Sequence, residues 1–368
     1  MYLTFNIAQD RQVNGLIAKC NNSSASGLNK LSWRHLKHIL KNKLCLKGII
    51  NIANACFELG HWPAHFKISM TIVIPKPNKV SYDFPKSFIL IVLLNILGKL
   101  IKKVIGERLQ FHVLLNNFIY QSQLDSLKFK ATSDASITLT HFICMGWIRN
   151  LPTSTLAFDI SQFFPSLNHY LLPYILGKVG FDPKIICFFS NYLISRKTCY
   201  FWNSFSSYFF NVDIGVGQGS ALSPILSALY LALILHILKN CLKILKILVS
   251  ILSFVDDSLL IAQSKSLSIS NSLLFCSYNI AYNLLMKFGP IIKQSKTEVF
   301  HFSRLIGAFN TSLLDLSVLG SPILYPKETW QYLGFIFDRK LFFCQHIDFY
   351  ENKVILTVKC IKILENSV

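Results

Sequence analysis

Residues Ile251 to Ile261 read ILSFVDDSLLI, two short apolar runs with the adjacent carboxylates Asp256 and Asp257 between them. Each run has the length and composition of a strand, so the pattern predicts a hairpin whose tight turn carries both aspartates. Two negative charges held together at the end of a sheet disfavour one another unless a cation joins them. The stretch therefore predicts a metal site on a turn, at the centre of an antiparallel sheet.

A second run, Thr155 to Ile160 (TLAFDI), predicts another strand that ends at a carboxylate, Asp159. Taken alone, an aspartate there is as readily a strand-end cap or a turn former. Side chains alternate faces along a strand, which favours Asp256 over Asp257 as the carboxylate sharing a face with Asp159. Two carboxylates on neighbouring strands about 5 Å apart offer four hard oxygens, enough to bridge two divalent ions about 3.5–4 Å apart. Mg²⁺ suits that donor set, with Mn²⁺ as a substitute. One ion would activate a primer 3′-hydroxyl, and the other would hold a triphosphate and its leaving pyrophosphate. His169, in a loop beyond Pro165, reads as a surface or supporting residue rather than a competing ligand.

The remaining pattern is α+β. A basic helical stretch runs from about Trp33 to Lys47, and a further helix from Gly48 to Gly60. A strand, Ser69 to Pro75, leads into a polar turn with Lys76, Pro77 and Lys79. Ile89 to Leu109 is a long apolar stretch, helical from about Leu93, and bears Lys99, Lys102, Lys103 and Arg108. Helices are expected from Ser133 or Asp134 to Trp147, from Tyr170 to Leu176 and from Pro183 to Ile194, and a hairpin between Lys197 and Val212. A glycine-containing loop, Val216 to Pro224, opens a helix to about Lys239; another helix spans Ser270 to Lys287. Glu298 to Phe302 and Tyr332 to Phe337 complete the expected strands.

Lys and Arg total 37 against 18 acidic residues, a net charge of +19 that points to a polyanionic partner. Hydrophobic residues make up 52% of the chain and mean hydropathy is +0.43. The longest apolar run, Ile225 to Leu238, falls short of the about 20 residues that span a bilayer, so a buried helix and no membrane partner are expected. The ten cysteines show no CxxC pair and no Cys/His ligand spacing, which predicts reduced structural thiols. Met1 to Cys20 does not read as a secretory leader.

With these pieces in order, the sequence resembles the reverse transcriptase domain of non-LTR retrotransposons, in particular the fungal kind. The resemblance rests on LAFDISQFFPSLNH (Leu156 to His169), GVGQGSALSPIL (Gly215 to Leu226), FVDD (Phe254 to Asp257), KTEVFHFSR (Lys296 to Arg304) and WQYLGFIFDRK (Trp330 to Lys340). Upstream, IVIPKPNK (Ile72 to Lys79) and LLNILGKLIKKVI (Leu93 to Ile105) look like finger segments of that family.

It covers about residues 55–350 and implies a right-hand polymerase fold with fingers and palm, an antiparallel palm sheet flanked by helices, and a truncated thumb. The implied division is a basic N-terminal extension (1–55), fingers (56–153), palm with a finger-like insertion at 170–212 and primer-grip hairpin (154–338), and a tail (339–368). The implied activity is RNA-directed DNA polymerisation from deoxynucleoside triphosphates on an RNA template and DNA primer. Asp159, Asp256 and Asp257 would be its catalytic, metal-holding aspartates. Phe164 would sit beneath the incoming sugar and exclude a 2′-hydroxyl, with packing of the palm as the alternative. Gln218, Gly219 and Lys76 would contact the nucleotide. Lys296 would approach the leaving pyrophosphate, a solvated lysine being the alternative. Trp330, Tyr332, Leu333 and Gly334 would grip the primer.

The sequence also departs from that family. Ile89 and Leu90 stand where an Arg-Pro pair is expected, so a bidentate phosphate clamp is missing. Gln121 to Lys130 lacks the expected glycine of a template-side turn. Few residues follow Asp348, which suggests a fragment. These departures support the alternative of a nucleic-acid-binding remnant with weak or absent catalysis. A group II intron maturase-like protein and, on hydropathy alone, a small membrane or scaffold protein are the other readings. Target-primed synthesis would need the nucleus, and translation with RNA assembly the cytoplasm; no targeting run is readable.

Overall fold

The structure is a computed structural model that describes residues 10–77, 79–124, 130–217, 219–304, 312–317 and 323–365. The chain divides into two units, the first formed by residues 1–121, 162–234 and 288–290, the second by 122–161, 235–287 and 291–368.

The first unit is organised by the strand Ile68–Pro75. It pairs antiparallel with Phe88–Leu94 and parallel with Arg196–Trp202, and the last pairs in turn with Phe205–Ser206 and Phe210–Val212. The helix expected from about Leu93 begins instead at Ile96, because Leu93 and Leu94 end the strand Phe88–Leu94. Seven apolar residues before Asn95 extend against Ile68–Pro75, and the Asn95 side chain caps Ile96–Leu115 by accepting from the N–H groups of Leu97 and Gly98. A continuous apolar run is compatible with either state, and the capping asparagine was the overlooked boundary.

The N-terminal helices also divide differently from the expectation. Trp33–Ile39 begins at a Ser32 cap, and Lys43–Glu58 begins at an Asn42 cap, so Gly48 lies inside a helix. Helix Ile96–Leu115 buries Ile96, Leu100 and Val104 against Val13, Leu16, Trp33, Leu36 and Ile49. Leu171–Val179 and Pro183–Leu193 form where their apolar spacing predicts them.

The second unit is built on an antiparallel sheet in the order Glu298–Phe302, Thr153–Ser161, Asp257–Gln263, Val249–Phe254. Ile291–Ile292 pairs with the far end of Thr153–Ser161. Thr132–Ile148 contributes Ala135, Leu139 and Ile143 to the core, together with Leu252, Leu259, Phe300 and Phe302. The expected strand Tyr332 to Phe337 is a hairpin of Thr329–Tyr332 and Phe335–Asp338. Leu333 (φ 49°) and Gly334 (φ 89°) make its two-residue turn in the left-handed region that hairpins of this length favour.

The apolar run Ile225 to Leu238 lies in the helix Ser223–Ile244, which is long and apolar enough to cross a membrane by length and composition. In its most apolar window 67% is buried inside the structure, as a core helix requires.

Candidate active site

The site is set by register. Asp159, near the end of the largely buried strand Thr153–Ser161, stands directly opposite Asp257, the first residue of Asp257–Gln263. Phe254 pairs with Asp257 across the hairpin, so the connecting loop is Val255 and Asp256 alone. Directly opposed residues on antiparallel strands project to the same face, which brings Asp257 to Asp159, while the Asp256 side chain itself hydrogen-bonds Asp159, so both aspartates join it. Strict alternation favours Asp256 alone, and the two-residue turn lets Asp257 share the site with it.

Asp256 remains in the group. Its carbonyl accepts the Ile160 N–H at 2.9 Å, tying the turn to the neighbouring strand. Val255 holds φ at 56°, an uncommon conformation for a β-branched residue, and strain of this kind collects at functional turns. On the opposite side, Lys293 N–H donates to the Asp159 carbonyl at 2.8 Å and opens the short helix Gln294–Lys296. That helix brings Lys296 Nζ to 2.7 Å from Asp159 Oδ2.

The electrostatics follow from this gathering. Burial, with Asp256 and Asp159 alongside, pushes Asp257 up to about 6. Burial raises Asp256 as well, and the Asp159 carboxylate against it adds to the effect. The Lys296 ammonium is held above its ordinary range, first by its bond to Asp159. The lysine thus supplies the counter-charge that three clustered carboxylates require.

Among the described residues, no group of three or more His, Cys, Asp or Glu side chains is arranged to hold an ion. Mg²⁺ is commonly held by one or two carboxylates, with water and substrate phosphate filling its shell, and the opposed Asp159 and Asp257 match that chemistry.

The primer-grip candidates separate by burial. Trp330 and Tyr332 stack at 5.0 Å and sink into the core with Phe300 and Phe337, leaving Leu333 and Gly334 partly exposed at the turn. The Tyr332 hydroxyl is buried without a hydrogen-bond partner, and burial, with Asp257 nearby, drives its phenol far above the usual range. Sequence reasoning did not place Tyr332 beside an aspartate.

In the first unit, Phe164 and Gly219 line one pocket together with Lys99 and Lys103, two lysines not singled out as site residues. Phe163, next to Phe164, is buried in the core. Lys76 sits apart from that pocket at the end of Ile68–Pro75, where its N–H donates to the Ser87 carbonyl and its carbonyl accepts from Tyr82. Of the two expectations for His169, a surface or a supporting residue, burial excludes the first: Arg196 donates to its ring Nε2 at 2.7 Å. Gln218, and residues 125–129 of the divergent turn, lie outside the described residues.

The family profile for reverse transcriptase (RNA-dependent DNA polymerase) matches residues 74–337. The chain belongs to the reverse transcriptase family. This reverse transcriptase domain is 25% identical over 337 residues to the RNA-directed DNA polymerase from mobile element jockey of Drosophila melanogaster, covering 91% of the chain and 36% of that protein. The jockey polymerase of Drosophila funebris is 23% identical over the same length, again with 36% of its own length matched. The chain therefore spans about a third of the curated relatives it matches and is related to jockey-type, non-LTR reverse transcriptases.

Among solved structures, telomerase from Candida albicans in complex with a telomeric RNA fragment superposes with TM-score 0.52 at 14% identity, covering 76% of this chain and 47% of that one. Apo telomerase from Candida tropicalis, truncated from its C-terminal domain, gives 0.50 at 14%, covering 74% and 53%. At such identity the likeness shows the fold alone: open sheets flanked by helices, of reverse transcriptase and telomerase type.

Proposed function

We propose that this chain is the nucleic-acid-binding core of a retrotransposon reverse transcriptase in which deoxynucleotidyl transfer is weak or absent. The observation that carries the reading is the edge strand Phe88–Leu94. Ile89 and Leu90, at the place of the expected Arg-Pro, are exposed and continue the ladder opposite Ile74 and Val73. Neither side chain can donate to a triphosphate. Removing one donor aimed at developing transition-state charge costs about 10²–10³ in rate. The net charge of +19 supports retention of polyanion binding.

A second reading, an active RNA-directed DNA polymerase, is favoured by the Asp159, Asp256 and Asp257 cluster. Asp159, Asp256 and Asp257 would hold Mg²⁺, which when bound would activate the primer hydroxyl and offset charge on the leaving group. Lys296, released from Asp159, would steady the pyrophosphate, and Phe164 would exclude a ribose 2′-hydroxyl. Primer, RNA template and deoxynucleotides are the proposed partners, with nuclear and cytoplasmic phases.

Templated incorporation with Mg²⁺ tests both readings. Tight primer-template binding with negligible extension supports the first; extension that Asp256→Ala abolishes and Phe164→Ala opens to ribonucleotides supports the second.

A further inference from the structure

The first unit encloses a cavity of about 190 Å³, whose lining includes Trp62, Lys102, Tyr192, Arg196, Thr198 and Ser220. Lys102 is 3% exposed, a costly place for an ammonium. Its Nζ lies 5.2 Å from the Trp62 ring centroid and 5.0 Å from that of Tyr192, so aromatic faces offset part of the charge. Among the described residues no carboxylate lines the cavity.

A second and independent observation points the same way. Trp62 is fully buried, and its indole Nε1–H has no hydrogen-bond partner. Buried donors without acceptors are uncommon and mark a missing group. The surrounding hydroxyls are engaged with one another or with Lys102: Thr71 bonds Thr198, and Tyr192 bonds Lys102. The Tyr192 hydroxyl lies 3.3 Å from Ser220 Oγ, and Arg196 adds a half-buried guanidinium that donates to the Leu193 and Gly215 carbonyls and the His169 ring while keeping its charge. Lys67 is committed to the Asn191 carbonyl, and Asp213 is the acid that influences Arg196.

Positive charge therefore exceeds negative in a space of several water volumes, with the Trp62 indole N–H still lacking an acceptor. Although burial opposes it, Lys102 and then Arg196 pull the Tyr192 phenol below its usual range, which reports the same excess. A ligand that relieves it must be compact, anionic and rich in acceptor oxygens.

We propose that this cavity is an oxyanion site that accepts a phosphate group. The phosphate could come free, as inorganic phosphate or pyrophosphate, or from the end of a nucleic-acid chain; the chemistry recognised is the same. The proposal does not depend on polymerase activity, since its residues belong to the first unit and its test contains no polymerisation step.

Calorimetric titration of the full chain with inorganic phosphate and pyrophosphate, at ionic strength fixed with chloride, tests it. Saturable binding is expected, weakened about tenfold or more in Lys102→Met, as loss of a charged hydrogen bond implies. Lys265→Met, which removes the same charge from an exposed position, should leave binding unchanged. If circular dichroism shows Lys102→Met unfolded, Trp62→Phe decides, because it removes only the indole donor from a ring-filled site and should still weaken binding. A 5′-phosphorylated oligonucleotide compared with its unphosphorylated twin assigns the source, and either source supports the site. Absence of saturable phosphate binding, equal weakening by Lys265→Met, or undiminished binding by folded Lys102→Met or by Trp62→Phe overturns it.

Discussion

Asp257 lies directly across the ladder from Asp159, and burial with its carboxylate neighbours pushes its proton affinity up to about 6. An unfolded aspartate titrates near about 3.9, so the native state holds the extra proton between those values. Raised native affinity means that stability is fully present below the unfolded value and is lost as pH rises through about 6. Urea midpoints should fall over that window. Asp257→Asn should flatten the profile and unfold later than wild type at neutral pH; parallel profiles in the two proteins would contradict the assignment.

Lys296 contributes the counter-charge on Asp159 from a half-exposed position. Lys296→Met should lower stability by about 1 kcal/mol or less at neutral pH, as exposed pairs do. Mg²⁺ should restore the loss and raise the variant's melting temperature more than that of wild type. A melting temperature indifferent to Mg²⁺ in both proteins would remove the ion-site proposal.

Val255 holds a left-handed backbone between Phe254 and Asp256. Asparagine tolerates that conformation at lower cost, so Val255→Asn should stabilise the fold by about 1 kcal/mol. Chemical denaturation measures it; destabilisation by a similar amount would show that the valine side chain outweighs the strain.

Phe337 is fully buried in the second unit's aromatic cluster, whereas Phe342 is 68% exposed. Phe337→Ala should cost about 3–5 kcal/mol and Phe342→Ala less than about 0.5 kcal/mol. Equal effects would mean that the aromatic cluster is not what holds this unit together.

The parts of this fold legible in the sequence are those where local pattern and tertiary role agree. The Asp159 strand, the double-aspartate hairpin and Glu298–Phe302 combine strand-forming apolar residues with clear turns, and all three form. The break at Asn95 was hidden because apolar strand and apolar helix adjoin, with only a capping side chain between them. That Asp257 reaches Asp159 together with Asp256 is not legible from alternation, because the two-residue turn sets it. Gly334 is the local signal for the hairpin that the resemblance implies, where the apolar run from Tyr332 to Phe337 alone suggests one strand. Burial of His169 and Lys102 had no local signature: it depends on Arg196, Trp62 and Tyr192, distant in sequence.

Ile89 and Leu90 occupy the exposed edge of the first unit's sheet. Joint Ile89→Arg and Leu90→Pro substitution should raise deoxynucleotide incorporation about tenfold or more if a missing donor limits the chemistry. No increase, with the fold intact, would place the limitation elsewhere.

Most direct is incorporation of deoxynucleotides on a primed RNA template with Mg²⁺, measured beside binding of the same duplex over a series of salt concentrations. The account predicts binding that weakens steeply as salt rises, with negligible extension by the wild-type chain. Extension by wild type at about one nucleotide per second or faster, abolished by Asp256→Ala, would contradict it.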